Sequence, residues 1–388
     1  MSAGSIQLRA HGAEESVRPT ADDTGRVVYL LGAGATQGTV SFGGSLSSLV
    51  MPGLIGPLLE RMRELYMESF SDHSGVGNLV NDVVDDETDF EHLLTFLADT
   101  PSNRYQEFAS RLRKVFSTVL RTALLDVRRE LGDKHSALYS ILLDMHEVSD
   151  SGEVLKGFIT LNYDSFLEHA IEMTPGYEVD YGVHTGNSGS QERPIPVLKL
   201  HGSFSWRHTW PIQVADVGDN ALWIPPGIRK AKADYPFNAI WGAARELLDC
   251  DVLRIIGCNL GANDWDLVSL LFTTMHGRES ARPYEVEVVG PPGTAARIAN
   301  EFPYLEVKSL LEVEDVGPQL IAEVLGGEPA NFSDLDEGNQ KKAIEDADAK
   351  VANPFEHWLR LKGELMHGNL PNIETDRNIF KNFVEAPV

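Results

Sequence analysis

Cysteine is nearly absent: Cys250 and Cys258 are the two in a chain of 388 residues. Two thiols cannot build a four-cysteine zinc site or a disulfide scaffold. A reducing, cytoplasmic setting is expected, with no metal. Positive charge is scarce as well. Thirty-three Lys and Arg stand against 58 Asp and Glu, a formal net charge of −25. That excludes a general nucleic-acid surface, which sets basic side chains against phosphates. It also argues against an anionic membrane surface. A local positive pocket remains open, and the acidity itself reads as solubility. No run approaches the roughly 18 apolar residues of a membrane span. Residues 1–25 lack the apolar centre of a secretion signal; they form a polar arm expected to be disordered.

What is present is an ordinary globular content, with 42% hydrophobic residues. One stretch stands out. Val27-Val28-Tyr29-Leu30-Leu31 reads as a buried strand of a parallel sheet, and Gly32-Ala33-Gly34-Ala35-Thr36 follows it. Glycines there let the backbone turn and approach a ligand, and free N–H groups after a strand suit a phosphate. Plain connections have the same form. The breakers between Gly38 and Gly56 read as a long loop or a short interrupted helix. About residues 58–147, apolar residues recur at helical spacing, so a helical insertion is expected between two strands. Strand and helix then alternate from Gly157 to Leu325. The fold class expected is α/β: a Rossmann-like parallel sheet with helices on both faces. Residues 26–325 form that domain, and 326–388 an acidic linker and a C-terminal helix. The stripe Phe355, Trp358, Leu359, Lys362 and Leu365 of that helix can dock on its own domain or on a partner.

Ligands of such sheets sit past the carboxyl ends of the strands. Polar sets follow three further strands: Thr160-Leu161-Asn162-Tyr163-Asp164, Leu200-His201-Gly202-Ser203 and Gly257-Cys258-Asn259-Leu260. With the glycine turn, and in this order, they resemble the sirtuin family. The resemblance covers roughly residues 27–325. The sequence departs from the protein-deacylating sirtuins in three places. It lacks the cysteines of their zinc ribbon. It has Gly38-Thr39-Val40-Ser41-Phe42-Gly43 where they carry Gly-Ile-Pro-Asp-Phe-Arg, and Leu161 where they have Gln. It is more similar to the zinc-less, sirtuin-like domains of bacterial anti-phage systems, which hydrolyse NAD. Pro225, Pro226, Lys230, Trp241, Ile256, Leu260, Asp264, Asp89 and Glu91 add to that likeness. It implies an NAD⁺ hydrolase acting by NAD depletion. It also implies regulation by assembly, as a homo-oligomer and with a partner such as a HerA-type hexameric ATPase.

The residue types suit that chemistry. Cleaving the nicotinamide–ribose bond passes through a ribosyl cation. Asn162 is neutral and can orient a water or the ribose hydroxyls. His201 titrates near neutrality and suits a general base. Asp164 can hold Asn162 or stabilise positive charge, or it can cap the next helix. Gly32, Ala33, Gly34 and Thr36 would cradle the pyrophosphate, with Gly257 and Asn259 near a ribose or the adenine. Each has a plainer reading: a histidine after a strand can be structural, and Asp264 and Asp266 can simply open a helix. Trp206, Trp210 and Trp223 read as packing, Cys258 as a small filler, and His73, His92, His135, His146 and His367 as core or surface residues. Two other functions stay open: an NAD or ADP-ribose sensor without turnover, and an NAD-dependent deacylase.

Overall fold

A computed structural model of the chain describes residues 25–45, 47, 49, 90–148, 153–183, 193–207, 209, 212–214, 221–225, 234–261, 264–276, 284–291, 293–305, 307–310 and 353–367. Several expectations fall outside those residues. They include the N-terminal arm over 1–24, residues 58–89 of the helical insertion with Asp89, Trp210, Pro226, Lys230, residues 311–325 and the acidic linker.

The centre is a seven-stranded sheet in the order β10-β9-β8-β1-β2-β4-β3, in which every pairing is parallel. Its strands are β1 (Gly25–Leu31), β2 (Glu153–Thr160), β3 (Tyr177–Asp180), β4 (Arg193–Lys199), β8 (Val252–Ile256), β9 (Glu285–Val289) and β10 (Val307–Ser309). Side chains on a strand alternate between faces, and β1 shows the result. Val27, Tyr29 and Leu31 enter one apolar layer, Val28 and Leu30 the other. The first layer is covered by α1 (Ala33–Phe42), α2 (Phe90–Asp99), α3 (Asn103–Leu131), α4 (Ala137–Val148) and α5 (Phe166–Met173). The second is covered by α6 (Phe237–Leu247), α7 (Trp265–His276) and α8 (Thr294–Glu301). This is the Rossmann-like α/β arrangement, a parallel sheet with helices on both faces. No helix among the described residues is long and apolar enough to cross a membrane.

One strand differs from the sequence reading, and two other elements take a form that the reading allowed. The glycine-rich text after β1 enters α1 at once, so the stretch from Gly38 is helical as far as Phe42, and residues 46, 48 and 50–56 lie outside the described residues. The segment after His201, given no strand by its sequence, forms β5 (Gly202–Arg207). This strand pairs antiparallel with β6 (Gln213–Val214) and β7 (Ala221–Trp223) in a small second sheet. Phe204 of β5 joins one apolar layer and Trp206 the other, so Gly-Ser-Phe-Ser-Trp is buried throughout and lacks the polar alternation of a surface strand. The C-terminal helix α9 (Pro354–His367) docks on its own domain. Phe355, Trp358 and Leu359 are buried in the first layer against α1 and α4. Phe355, Trp358 and Leu359 are therefore turned inward on this domain.

β1 is the strand at which the winding reverses. The chain passes from β1 to β2 and β4 on one side, then returns to β8, β9 and β10 on the other. Crevices for ligands form at the carboxyl ends of strands flanking such a reversal.

Candidate functional site

The pairing register brings the polar sets together. Leu31 pairs with Thr160 and with Ile256, Thr160 pairs with Lys199, and Ile256 with Val289. These five residues form one row across the carboxyl edge. Two residues beyond that row stand Asn162 and His201, leaving adjacent strands whose spacing is about 4.8 Å. One residue beyond it stand Gly32 and Gly257. Thus the four motifs share one rim, in the order His201, Asn162, Gly32, Gly257.

Asn162, Asp164 and Thr36 form one hydrogen-bonded cluster. The Asn162 Nδ2 group donates to the Gly32 carbonyl at 2.8 Å and to Thr36 Oγ1 at 2.9 Å. Thr36 donates in turn to Asp164 Oδ2 at 2.8 Å. The Asn162 backbone N–H is held by Thr160 Oγ1 at 3.0 Å. All four side chains are buried. Both amide hydrogens of Asn162 are committed within the protein, which leaves Oδ1 as the group a ligand would meet. A carbonyl oxygen accepts hydrogen bonds and carries partial negative charge, which suits a water proton or an adjacent cation.

Asp164 is bonded through both carboxylate oxygens. Oδ2 takes the Thr36 hydroxyl, while Oδ1 accepts the Phe166 N–H at 3.0 Å and so satisfies an open donor at the start of α5. Tyr139 of α4 had no place in the sequence reading, yet its hydroxyl lies 3.3 Å from Thr36 Oγ1. Burial, reinforced by the Asp164 charge, pushes this phenol well above the ordinary tyrosine range and keeps it a donor.

His201 is buried at the start of the small sheet. Its carbonyl accepts the Ile224 N–H at 2.8 Å, and its ring lies 6.2 Å from that of Tyr163. Tyr163 is tied at three points: its hydroxyl donates to the Ile224 carbonyl at 2.9 Å, and its own carbonyl accepts from Phe204 N–H and Ser203 Oγ, both at 3.1 Å. Burial raises the Tyr163 hydroxyl above its usual range, and the charges of Glu91 and Asp264 raise it further. Glu91 on α2 and Asp264 before α7 are thus within electrostatic reach of this corner. Trp223 packs against Tyr163, Phe204 and Phe116 at 5.5, 5.2 and 6.1 Å, and Trp206 is fully buried, so both serve the core.

The glycine turn has a role its sequence did not reveal. Gly32 N–H donates to the Ile256 carbonyl at 3.0 Å, Gly34 N–H to the Gly257 carbonyl at 2.9 Å, and Ala35 N–H turns back on Gly32 at 3.0 Å. The expected free donors at Gly32 and Gly34 are therefore bonded to the end of β8. A Cβ on Gly34 would sit 2.8 Å from Gly257 Cα, and one on Gly257 would sit 2.1 Å from the Ala35 nitrogen. The glycines let two backbones touch, and the exposed Ala33 marks the opening of the helix beside them. Asn259 is exposed, its carbonyl accepting from Arg297 of α8. Leu260 is buried with φ at +46°, a left-handed conformation that is strained for leucine.

Cys250 and Cys258 are both buried, and the described residues include no group of His, Cys, Asp and Glu able to hold a metal ion. His135 packs on Phe166 and His169 at 4.4 and 4.7 Å and lies within electrostatic reach of Asp164, while His146 Nε2 lies 2.7 Å from the Tyr29 hydroxyl, away from the rim.

The SIR2-like domain family matches residues 156–300. That span takes in Asn162, Asp164, His201, Gly257 and Asn259 and leaves the glycine turn outside. No curated protein matches the sequence. Among solved structures, one described for the mechanism and regulation of Sir2 enzymes matches at 14% identity. It covers 87% of this chain and 94% of that one, with a TM-score of 0.34. A Sir2 homologue in complex with ADP-ribose matches at 14%, covering 90% and 97%, with a TM-score of 0.36. A Sir2 with a p53 peptide and NAD⁺ matches at 13%, covering 78% and 95%, with a TM-score of 0.33. Likenesses this slight do not carry the chemistry of those proteins to this chain.

Proposed function

We propose that the chain is an NAD⁺ hydrolase that releases nicotinamide and ADP-ribose. What supports the reading is one juxtaposition: the Asn162–Thr36–Asp164 cluster and His201 leave neighbouring strands at equal register. They do so beside the reversal point of a parallel sheet, and a SIR2-like match spans both motifs.

In this reading the dinucleotide lies along the rim. Its pyrophosphate rests by Ala33 at the positive end of α1, and its adenosine lies toward Gly257 and Asn259. Asn162 Oδ1 accepts from the attacking water and faces the ribosyl cation. Asp164, through Thr36, fixes the amide that presents this oxygen and adds negative charge behind it. His201 takes the proton as water adds to the anomeric carbon while the bond to nicotinamide breaks. The overall step consumes NAD⁺ and water and yields nicotinamide, ADP-ribose and a proton. Its consequence in a cell is NAD depletion, which fits an antiviral role in the cytoplasm. Unrestrained turnover would harm the host, so activity is held until the chain assembles with itself and with a HerA-type ATPase.

The test is turnover of NAD⁺ by the purified chain, alone and with the ATPase, followed as nicotinamide and ADP-ribose. His201→Ala and Asn162→Ala should each lower kcat by about 100-fold or more while circular dichroism stays native. Normal turnover in both variants rejects the assignment. Saturable NAD⁺ binding with no product, partner present, replaces it with a sensor, and turnover of an acyl-lysine peptide replaces it with a deacylase.

A further inference from the structure

Beneath the rim lies an ion pair that the chemistry above does not use. Lys199, the last residue of β4, is 1% exposed, and Glu168 in the first turn of α5 is 3% exposed. Lys199 Nζ lies 2.9 Å from Glu168 Oε1. The same ammonium donates to the backbone carbonyl of Asp164. Burial raises the Glu168 carboxyl above its usual range, and the Lys199 charge opposes that rise. Charged groups this deep carry a large desolvation cost, which an apolar pair of similar volume avoids. Their retention calls for a role that apolar side chains cannot fill.

The connections supply one. Lys199 pairs in register with Thr160, two residues before Asn162, and stands two residues before His201. Its side chain crosses from the β4 exit to the β2 exit. From it a continuous series runs through Asp164 to Thr36 and on to the Asn162 amide. This side chain ties the strand leading to His201 to the turn bearing Asn162 and to α5. Resting on the proposed hydrolase, we infer that Lys199, held by Glu168, is a positioning residue that sets the placement of Asn162 Oδ1 relative to His201. A methionine in its place fills the volume without the hydrogen bond to Asp164. An arginine keeps the charge but forces a wider, planar group into the space of an ammonium.

The experiment compares wild type with Lys199→Met, Glu168→Met and the double variant. Each single variant leaves one buried charge unpaired and should unfold more readily; the double variant removes both and should regain much of the lost stability. A positioning role predicts that the double variant stays at least tenfold down in kcat, with KM for NAD⁺ changed by less than about threefold. Recovery of kcat along with stability overturns the proposal and makes the pair a purely structural one. A second readout does not require turnover: hydrogen exchange of the Asn162 side-chain amide by NMR, its signal assigned by its loss in Asn162→Ala. The folded double variant should exchange at least tenfold faster than wild type, and an unchanged rate overturns the inference. Wild type that never hydrolyses NAD⁺ defeats the hydrolase reading alone, and the exchange measurement still decides the role of Lys199.

Discussion

Gly257 shows how narrow the tolerances at this rim are. Its φ is +60°, and an added Cβ would meet the Ala35 nitrogen at 2.1 Å and the Gly34 carbonyl carbon at 2.4 Å. Every one of those atoms is backbone, so no side chain can swing away to relieve the clash. Gly257→Ala is therefore expected to cost about 2–6 kcal/mol, the sum of a left-handed alanine and overpacking. Gly242 gives the contrast: it lies within α6 with open space where a Cβ would go. Gly242→Ala should be neutral or stabilising by up to about 1 kcal/mol. Urea denaturation of the two variants tests the pair. Equal stabilities would mean that α1 and the β8 exit do not touch as described. The glycines were legible in the sequence, but their purpose was not. A Gly-x-Gly after a strand announces a close backbone approach without saying what approaches. Here the neighbour at Gly34 is another stretch of this chain, Gly257, 223 positions later, and only the fold brings the two together.

Deeper in the sheet, four elements meet at Arg254. This fully buried guanidinium on β8 binds Glu287 of β9 at 2.7 Å, Glu153 of β2 at 3.0 Å and the Tyr29 hydroxyl of β1 at 2.9 Å. It also lies 5.2 Å from the Trp358 ring of α9. The Tyr29 hydroxyl, which keeps its proton, is hydrogen-bonded to His146 Nε2 of α4 at 2.7 Å. Glu153, Arg254 and Lys362 also face that imidazole, and Lys362 pairs with Glu153 at 3.9 Å. Burial, with Arg254 and Lys362 adding to it and Glu153 opposing, lowers His146 from 6.5 to about 4. In the unfolded chain this histidine takes up a proton near pH 6.5; in the folded one it stays neutral until about pH 4. Its contribution is thus complete above pH 6.5 and is lost as pH falls toward 4, about 3 kcal/mol in all. His146→Gln keeps an acceptor for Tyr29 and removes the titration. Urea midpoints between about pH 7 and pH 4.5 should fall less steeply for the variant than for wild type. Parallel slopes would contradict a neutral, buried His146. The strands and most helices along this path were readable from apolar periodicity, because each buries a face. The contacts of Arg254 were not, since a lone arginine in a strand-like run gives no sign of partners 33, 101 and 225 positions away. Lys199 and Glu168 escaped notice for the same reason. β5 of the small sheet did so because both its faces are buried and no alternation marks it.

Across the whole molecule, the burial of Phe355, Trp358 and Leu359 decides which self-association is possible. Asn353 fastens the helix further by donating to the Gly38 carbonyl of α1 at 2.7 Å. Copies that met through this apolar stripe would have to pull α9 away from α1 and the Arg254 network. Self-assembly, if the chain is held silent in that way, must use the outer surface. Large apolar side chains exposed there include Phe96 on α2 and Trp265 and Phe272 on α7. Each copy also carries a formal charge of −25, so copies repel at low salt. Salt shortens that repulsion, from a screening length of about 30 Å at 0.01 M to about 8 Å at 0.15 M, while apolar contacts persist. Self-association should therefore strengthen with salt, and sedimentation equilibrium should give a weight-average mass that rises across that range. Association that weakens with salt would point instead to paired charges between copies. A chain that remains monomeric throughout, alone and with the ATPase, would remove assembly as the means of control and leave the hydrolase reading to stand on turnover alone.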